Sequence, residues 1–550
     1  MKRKYIIPYM LVIITGALLL TSSNDEFYFK VNKSFEIFGA VFRNISSYYV
    51  DDIDPEDLMH DGIDGMLSNL DPYTVFIDEE DGENFEILTD GTYVGVGITV
   101  GVRDSMLTII DTYDNYSAQK SGIRIGDRIL KVDSVNVLYS QSDALRKYTK
   151  GKIGTTLDMW LLRDGSKDTI HVALKREEIR IKNVSYSGML NDSIGYIKLD
   201  RFSRSSKDEM VDAYNELNNN NHLKGLVLDL RDNPGGLLES AVSISEIFVP
   251  YGRKIVTIRG RNKTEERTYY SDTPPIDSTL PLAVLINSKS ASASEILAGA
   301  IQDLDRGIVV GERSFGKGLV QSVFDMPYNT SLKITTARYY TPSGRCIQRF
   351  EFHNKLKSNI IHTDTTFYTK NGRKVLESSG IMPDSVVKPK YFSDYVDELI
   401  DKDAFFKFVS IYTSDIDKLS LDFKIDKTIL LKFSNYLKEP DVNIQDPVNL
   451  KINELEKTIK DENMQVDLLK KVNDIKKVLE KDKYNPVLVH SKEISKILFY
   501  EIERRFNSEE KLISTNLKDD EYVKTALSLM NTKEYNKILA LTGKTGNGEN

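Results

Sequence analysis

The 550-residue chain contains one cysteine, Cys346. No internal disulfide can form, and zinc sites built from several cysteines are excluded. Histidine is scarce too. His60, His171, His222, His353, His362 and His490 stand too far apart for a paired H-E-x-x-H metal motif. Positive charge is not in excess: 74 Lys and Arg face 82 Asp and Glu, a net charge of −8. That balance lacks the basic footprint of a dedicated nucleic-acid binder. Long apolar runs are missing except at the N-terminus, which excludes a multi-span membrane protein. With 40% hydrophobic and 28% charged residues, collagen-like and wholly disordered chains are excluded as well. What remains is ordinary globular composition, and at roughly 100–200 residues per domain the length predicts three or four domains.

The N-terminus has its own pattern. Met-Lys-Arg-Lys precedes an apolar run from Tyr5 to Leu20, and Thr-Ser-Ser-Asn-Asp-Glu follows. A basic start before a short apolar stretch is the pattern of an export signal. At about 1.5 Å per residue the run reaches roughly 24 Å, short of the ~30 Å hydrocarbon core. Neither an A-x-A cleavage site nor a lipobox cysteine follows, so residues 1–23 read as a signal peptide or an N-terminal anchor. The three basic residues would stay in the cytoplasm and the remainder would lie outside it, in the periplasm or cell envelope.

Residues 24–90 form a helical region, with one helix around Phe35–Ile45 and a second over Pro55–Leu70 that stops at Asp71-Pro72. Residues 91–178 form a small β module with strands at 95–100, 106–110, 129–132, 158–162 and 169–174. Gly126-Asp127 and Asp164-Gly165 mark its turns, and a helix is expected near Ser142–Lys150. From 179 to 391 strands alternate with helices of about a dozen residues, predicting βαβ units around a parallel sheet. The strands are Ile194–Leu199, Gly225–Leu230, Leu282–Ile286 and Gly307–Val310. The helices are Ser206–Asn218, Leu237–Phe248 and Ser292–Leu304, and Leu319–Phe324 with Leu332–Ala337 reads as a closing hairpin. Residues 392–550 are helical and charge-rich. The short seam of Leu468, Val472, Ile475 and Leu479 points to packing within the domain rather than to a coiled coil.

Three segments of the α/β region carry chemistry: Asp229-Leu-Arg-Asp-Asn-Pro-Gly-Gly236, Asn287-Ser-Lys-Ser-Ala-Ser-Ala-Ser-Glu295 and Gly311-Glu-Arg-Ser-Phe-Gly-Lys-Gly-Leu-Val-Gln321. Active sites in open α/β sheets gather beyond the carboxyl ends of the strands. A serine opening a helix resembles a nucleophile elbow, and the unpaired N–H groups there can hold an oxyanion. That serine needs a base, and the histidines fit poorly, although a histidine base stays open as a reading. Lys317, between Gly316 and Gly318, is the better base. To be neutral near pH 7 its pKa must fall about three units from ~10.4, a shift of ~4 kcal/mol that burial can supply. If Lys317–Gln321 is extended, both side chains share one face, and the Gln321 carbonyl can accept from the Lys317 amine. Taken singly, each segment also has an ordinary reading as a helix contact, a turn or a surface lysine. The near P-loop Gly311-x-x-x-x-Gly316-Lys317 fails because Gly318 replaces the Ser or Thr and a strand follows instead of a helix.

These residues resemble the carboxyl-terminal processing peptidases, or tail-specific proteases, over roughly residues 35–390. The resemblance runs through Gly65-Met-Leu-Ser-Asn-Leu-Asp-Pro-Tyr-Thr74, Gly95-Val-Gly-Ile98, Asp229–Gly236, Ser290-Ala-Ser-Ala-Ser-Glu-Ile296, Gly316-Lys-Gly-Leu-Val-Gln321, Tyr339-Tyr-Thr-Pro-Ser-Gly344 and Gly380-Ile-Met-Pro-Asp384. It implies a multi-domain α/β protein: a PDZ module and a crotonase/Clp-like serine protease core, flanked by helical regions. It implies a serine endopeptidase with a Ser-Lys dyad. Its spacing of 25 residues selects Ser292 over Ser290 and Ser294, with Lys317 as base and Gln321 orienting it. The oxyanion hole would be the Ala293 N–H and one from Gly235-Gly236. Gly95, Val96, Gly97 and Ile98 would form the PDZ carboxylate-binding loop, capturing a C-terminus as an added strand. No metal or organic cofactor and no nucleic acid is implied. The expected partners are protein substrates with exposed C-terminal tails, an adaptor protein, and a second copy through the N-terminal helices. The alternative from another class is a non-catalytic PDZ scaffold with a pseudoprotease domain.

Overall fold

The computed structural model describes residues 6–540, apart from short internal stretches of which 83–88 and 138–147 are the longest. The chain divides into two units. One comprises Met1–Gly82, Gln321–Thr336 and Phe350–Ile360, the other Glu83–Val320, Ala337–Arg349 and Ile361–Asn550.

In the first unit, helix α1 spans Ile6–Tyr48 and α2 spans Pro55–Leu67. Asp54 caps α2 by accepting from Glu56 N at 2.8 Å, and Pro55 stands at N1, where its missing N–H is no loss. The helix ends at Leu67, three residues before the expected stop. Val75–Ile77 pairs antiparallel with the start of strand Ser331–Tyr340, with Val75 opposite Lys333. The expected signal or anchor begins in the α1 backbone, but the side chains of its residues lie outside the described set. Among the described residues no helix is long and apolar enough to cross a membrane.

The second unit begins with the β module. Its strands are β1 (Ile98–Arg103), β2 (Met106–Thr112), β3 (Arg128–Val132), β4 (Thr156–Leu162) and β5 (Ile170–Lys175), hydrogen-bonded in that order and antiparallel. Alternate residues such as Leu157, Met159 and Leu161 point into a closed apolar core. Most of the helix expected near Ser142–Lys150 falls on residues outside the described set.

A six-stranded sheet follows, in the order β6 (Val184–Met189), β7 (Ile194–Leu199), β8 (Gly225–Asp229), β9 (Leu282–Ile286), β10 (Ile308–Gly311) and β11 (Ser385–Val386). All neighbours are parallel except the β6–β7 pair at one edge. Helices α3 (Ser206–Asn220), α4 (Leu238–Phe248) and α5 (Ala293–Asp303) cover one face in the main apolar cluster. Strands buried on both faces explain the unbroken apolar runs Leu-Val-Leu and Leu-Ala-Val-Leu-Ile.

The C-terminal region is not one body. Helices α6 (Asp394–Asp401), α7 (Ala404–Thr413) and α8 (Ser491–Glu503) share an aromatic-rich core with Phe405, Phe408 and Phe433. The seam around Val472 packs on Ile452 and Ile459 in a separate helical pair, as expected, although Ile475 is exposed. Helices α9 (Glu509–Leu517), α10 (Glu521–Met530) and α11 (Lys533–Leu539) instead cover the other face of the six-stranded sheet. There Val523, Ala526 and Tyr535 meet Val227, Leu285 and Val310.

Candidate active site

Three loops leave the C-terminal ends of β8, β9 and β10, neighbours in the sheet. The β8 loop is organised by Asn233, which is fully buried. Its Nδ2 donates to Leu199 O at 2.8 Å and its Oδ1 accepts from Gly235 N at 2.8 Å. An asparagine closing on the amide two residues ahead is an Asx turn, and it accounts for the Asn-Pro-Gly spacing. Gly235 has φ +103 and Gly236 φ +147. A Cβ on Gly235 would stand 2.7 Å from Ala291 O and 2.9 Å from Ala293 N, so only glycine lets this turn close on the next loop. The Gly235 N–H is thus spent on Asn233. Gly236 N has no acceptor among the described residues.

The β9 loop ends in Ser292, at φ 55 and ψ −113, a strained conformation for a residue with a side chain. Helix α5 begins at the next residue, so Ala293 N is one of the helix's unpaired donors. The flanking serines are committed elsewhere. Ser290 Oγ donates to Leu230 O at 2.8 Å and Ser294 Oγ to Asn233 O at 2.9 Å, and both serines are fully buried. They fasten the elbow to the β8 loop, whereas Ser292 is only half-buried.

Sequence reasoning missed Glu295. This carboxylate is fully buried and joins the second and third loops. Oε2 accepts from Ser292 N at 2.8 Å and Lys317 N at 2.9 Å. Oε1 accepts from Gly316 N at 2.7 Å and Ser314 Oγ at 2.5 Å. Burial pushes its carboxyl up to about 7, against the opposing pull of the Ser314 hydroxyl and the Lys317, Ser292 and Gly316 amides. The signal was present in the sequence, since Ser292-x-x-Glu295 is the capping-box spacing. Tyr339 was also missed in this role. Its hydroxyl donates to Ser292 O at 3.2 Å and its N–H to Gly318 O at 3.0 Å, a second link between elbow and lysine loop.

Lys317 is half-buried between Gly316 and Gly318, each packed against the 347–349 backbone. Gln321 belongs to the first unit. Its Nε2 donates to Thr335 Oγ1 at 3.2 Å, and Thr335 Oγ1 donates to Asp71 Oδ1 at 3.0 Å. Asp71 in the Asp-Pro-Tyr-Thr motif thereby has a function in fixing that amide.

The β-module loop residues lie apart from this cluster. Gly95 ends a short strand paired with Glu177–Arg180. Val96 is buried and its carbonyl accepts from Ala118 N, while the Gly97 carbonyl accepts from Tyr113 N. Gly97 has φ +80, and a Cβ there would stand 2.7 Å from Tyr116 Cβ. Ile98 opens β1, an edge strand whose far side pairs with no strand among the described residues.

Comparison with known proteins places four family profiles along the chain. They are Activating protease CtpB N-terminal domain at residues 20–81, PDZ domain at 94–174, Peptidase family S41 at 193–355, and Probable PDZ-protease, C-terminal helical domain at 395–530. The chain is 34% identical over 339 residues to a carboxy-terminal-processing protease of Bartonella bacilliformis, covering 61% of this chain and 77% of that one. It is 33% identical over 331 residues to the carboxy-terminal processing protease CtpB of Bacillus subtilis, covering 60% and 67%. Among solved structures, the photosystem II D1 C-terminal processing protease aligns at 27% identity over 65% of this chain and 88% of that one, with a TM-score of 0.35.

Proposed function

Because the chain belongs to the carboxy-terminal processing proteases of peptidase family S41, and so is a serine protease with a PDZ domain, we propose that it is a Ser-Lys endopeptidase. Its substrates are the C-terminal tails of exported or membrane-associated proteins. The observation that carries this reading is the Glu295 carboxylate, which binds the backbone N–H of both Ser292 and Lys317. One buried group thereby sets the spacing of nucleophile and base.

In this reading Ser292 Oγ gives its proton to Lys317 Nζ and forms the bond to the scissile carbonyl carbon. The carbonyl oxygen takes the charge and rests on the Ala293 and Gly236 amides, Gly235 serving as the space that lets them converge. Collapse breaks the C–N bond, and Lys317 returns the proton to the departing amine. Water, deprotonated by Lys317, then attacks the acyl-enzyme, releasing the acid and restoring Ser292. Gln321 is the residue that orients the amine, as the family resemblance implies. The substrate's terminal carboxylate sits at Gly95–Ile98, and the tail adds along β1, whose open edge suits strand addition.

Residues 5–20 export or anchor the chain. The exposed Phe35, Phe38 and Val41 of α1 favour pairing with a second copy. The deciding experiment incubates the purified chain with an unfolded protein bearing an apolar C-terminal tail, beside Ser292→Ala and Lys317→Ala. Cleavage by the wild type alone is expected. Turnover by Ser292→Ala would sink the reading, and activity in Lys317→Ala would transfer the base to another residue.

A further inference from the structure

The loops after β8 and β10 carry the proposed oxyanion turn and Lys317, and neither is held by the sheet alone. Arg231 follows β8 by two residues. It grips Asp229 with Nε at 2.9 Å and Nη2 at 2.5 Å from Oδ2, and Tyr196 OH donates to the same oxygen at 2.6 Å. Burial alone would raise the Asp229 carboxyl, but the Arg231 guanidinium holds it below the usual range. The remaining Arg231 nitrogen pairs with Asp520 Oδ2 at 2.8 Å, and the guanidinium lies 4.7 Å from the centroid of the Tyr522 ring.

The same tyrosine reaches the other loop. Its hydroxyl donates to Glu312 Oε1, and its Cδ1 lies 3.2 Å from where a Cβ on Gly311 would stand. Asp520 fixes the tyrosine, because it caps α10 by accepting from Tyr522 N at 2.8 Å. Strand β9, which leads to Ser292, lies between β8 and β10. Tyr522 therefore spans the nucleophile's strand and touches the root of the loop on either side of it.

We propose that Tyr522, set by Asp520, is a positioning residue for peptide hydrolysis, clamping the oxyanion turn to the lysine loop and making the C-terminal helices part of the catalytic unit. This rests on the Ser-Lys reading above. Ordinary packing of α10 on the sheet needs only its apolar residues Val523 and Ala526, which sit in the apolar cluster. Tyr522 packs against that cluster too, but its ties to Arg231 and Glu312 are cation–π and polar. They fall four residues before Gly235 and five before Lys317.

The test compares the full chain with Tyr522→Leu, Tyr522→Phe and Ser292→Ala, assayed about 15 °C or more below each melting midpoint so that unfolded chain does not contribute. Tyr522→Leu loses both ties, and its kcat is expected to fall about 10- to 100-fold, as for a misplaced catalytic group. KM should stay within about twofold, since the substrate contacts are elsewhere. Tyr522→Phe keeps the ring over Arg231 and loses only the Glu312 bond, so its kcat should lie between the other two. If Tyr522→Leu does not fold, Tyr522→Phe decides alone. Wild-type kcat in the folded variants, or a loss seen only in KM, while Ser292→Ala is inactive, would overturn the clamp and leave the Ser-Lys reading standing. Wild-type turnover by Ser292→Ala would overturn the Ser-Lys reading and the clamp with it.

Discussion

At the residue scale the decisive group is Glu295, because one buried carboxylate serves four donors on two loops. Glu295→Gln replaces one acceptor oxygen by an NH2 that must face an N–H or O–H donor. An unsatisfied buried donor costs about 1–3 kcal/mol. The displaced loops should lower kcat/KM by about 100-fold, read in a tail-cleavage assay. The pH dependence of stability has a definite sign. Burial pushes the folded carboxyl up to about 7 from the ordinary 4.5 of a glutamate, so between those values the folded state binds more protons than the unfolded one. Stability therefore falls as pH rises through that window, by on the order of 3 kcal/mol for a shift of this size. Glu295→Gln does not titrate. The melting midpoint of the wild type relative to the variant should drop from pH 5 to pH 8; a constant difference would show that the carboxyl is already ionised at pH 5. Gly235→Ala is a second residue-scale test. Its Cβ would press on Ala291 O and Ala293 N at a φ that disfavours side chains, and loss of one proposed oxyanion donor predicts a fall in kcat of about 100- to 1,000-fold. The loops that carry Ser292 and Lys317 were legible in the sequence because glycines and serines in fixed order announce tight loops at strand ends, while the choice of Ser292 among three serines came from the family resemblance. The division of labour within Gly235-Gly236 was not legible, because it depends on where the Asn233 side chain turns. Glu295 was legible in principle, since the capping-box spacing stands beside the serine.

At the element scale the β module shows what a turn signal conceals. Gly126 and Gly165 read as turns, and both have positive φ. A Cβ on Gly126 would also stand 2.6 Å from Ser410 Oγ, and one on Gly165 2.8 Å from Ser414 Oγ. The same glycines thus admit Ser410 of α7 and Ser414 at its end, contacts across 284 and 249 positions that no local pattern records. The peptide edge is a cleaner case. Gly97 holds the loop into β1 at φ +80 against Tyr116, so Gly97→Ala should deform the proposed carboxylate site without touching the peptidase loops. Binding of a fluorescent C-terminal peptide should weaken about tenfold or more, roughly the 1.4 kcal/mol equivalent of one strained backbone site. A peptide with an amidated C-terminus should bind the wild type as weakly as the free-acid peptide binds the variant. Equal affinity of wild type and variant for the free acid would place the tail elsewhere.

At the scale of the whole molecule the C-terminal region is the part least legible in advance. Its helices are evident from periodicity, but an apolar stripe does not name its partner. In the structure the stripes divide: those of α6–α8 build a core of their own against the β module, and those of α9–α11 close the open face of the six-stranded sheet. The first junction carries ion pairs, Arg103 with Asp403, Arg124 with Asp417 and Lys407 with Asp104, on partly exposed side chains. Such pairs contribute at most about 1 kcal/mol each. The junction also has a partly buried link, Arg504 Nη2 to Ile110 O at 2.6 Å, so added salt should leave this junction closed. The second junction is apolar and larger in consequence. Without α9–α11, Ile194, Val227, Leu285, Ile308 and Val310, all buried, would face water together with Tyr196. At about 1.5–3 kcal/mol per large apolar side chain the loss is on the order of 10 kcal/mol, comparable with the ~5–15 kcal/mol that holds a typical domain folded. A chain ending at residue 508 is therefore expected to lose the peptidase fold as a whole and not merely its rate. It should aggregate on size-exclusion chromatography and lack the cooperative melt of the full chain. A soluble truncated chain with a cooperative melt and undiminished tail cleavage would show that the sheet can leave this face bare.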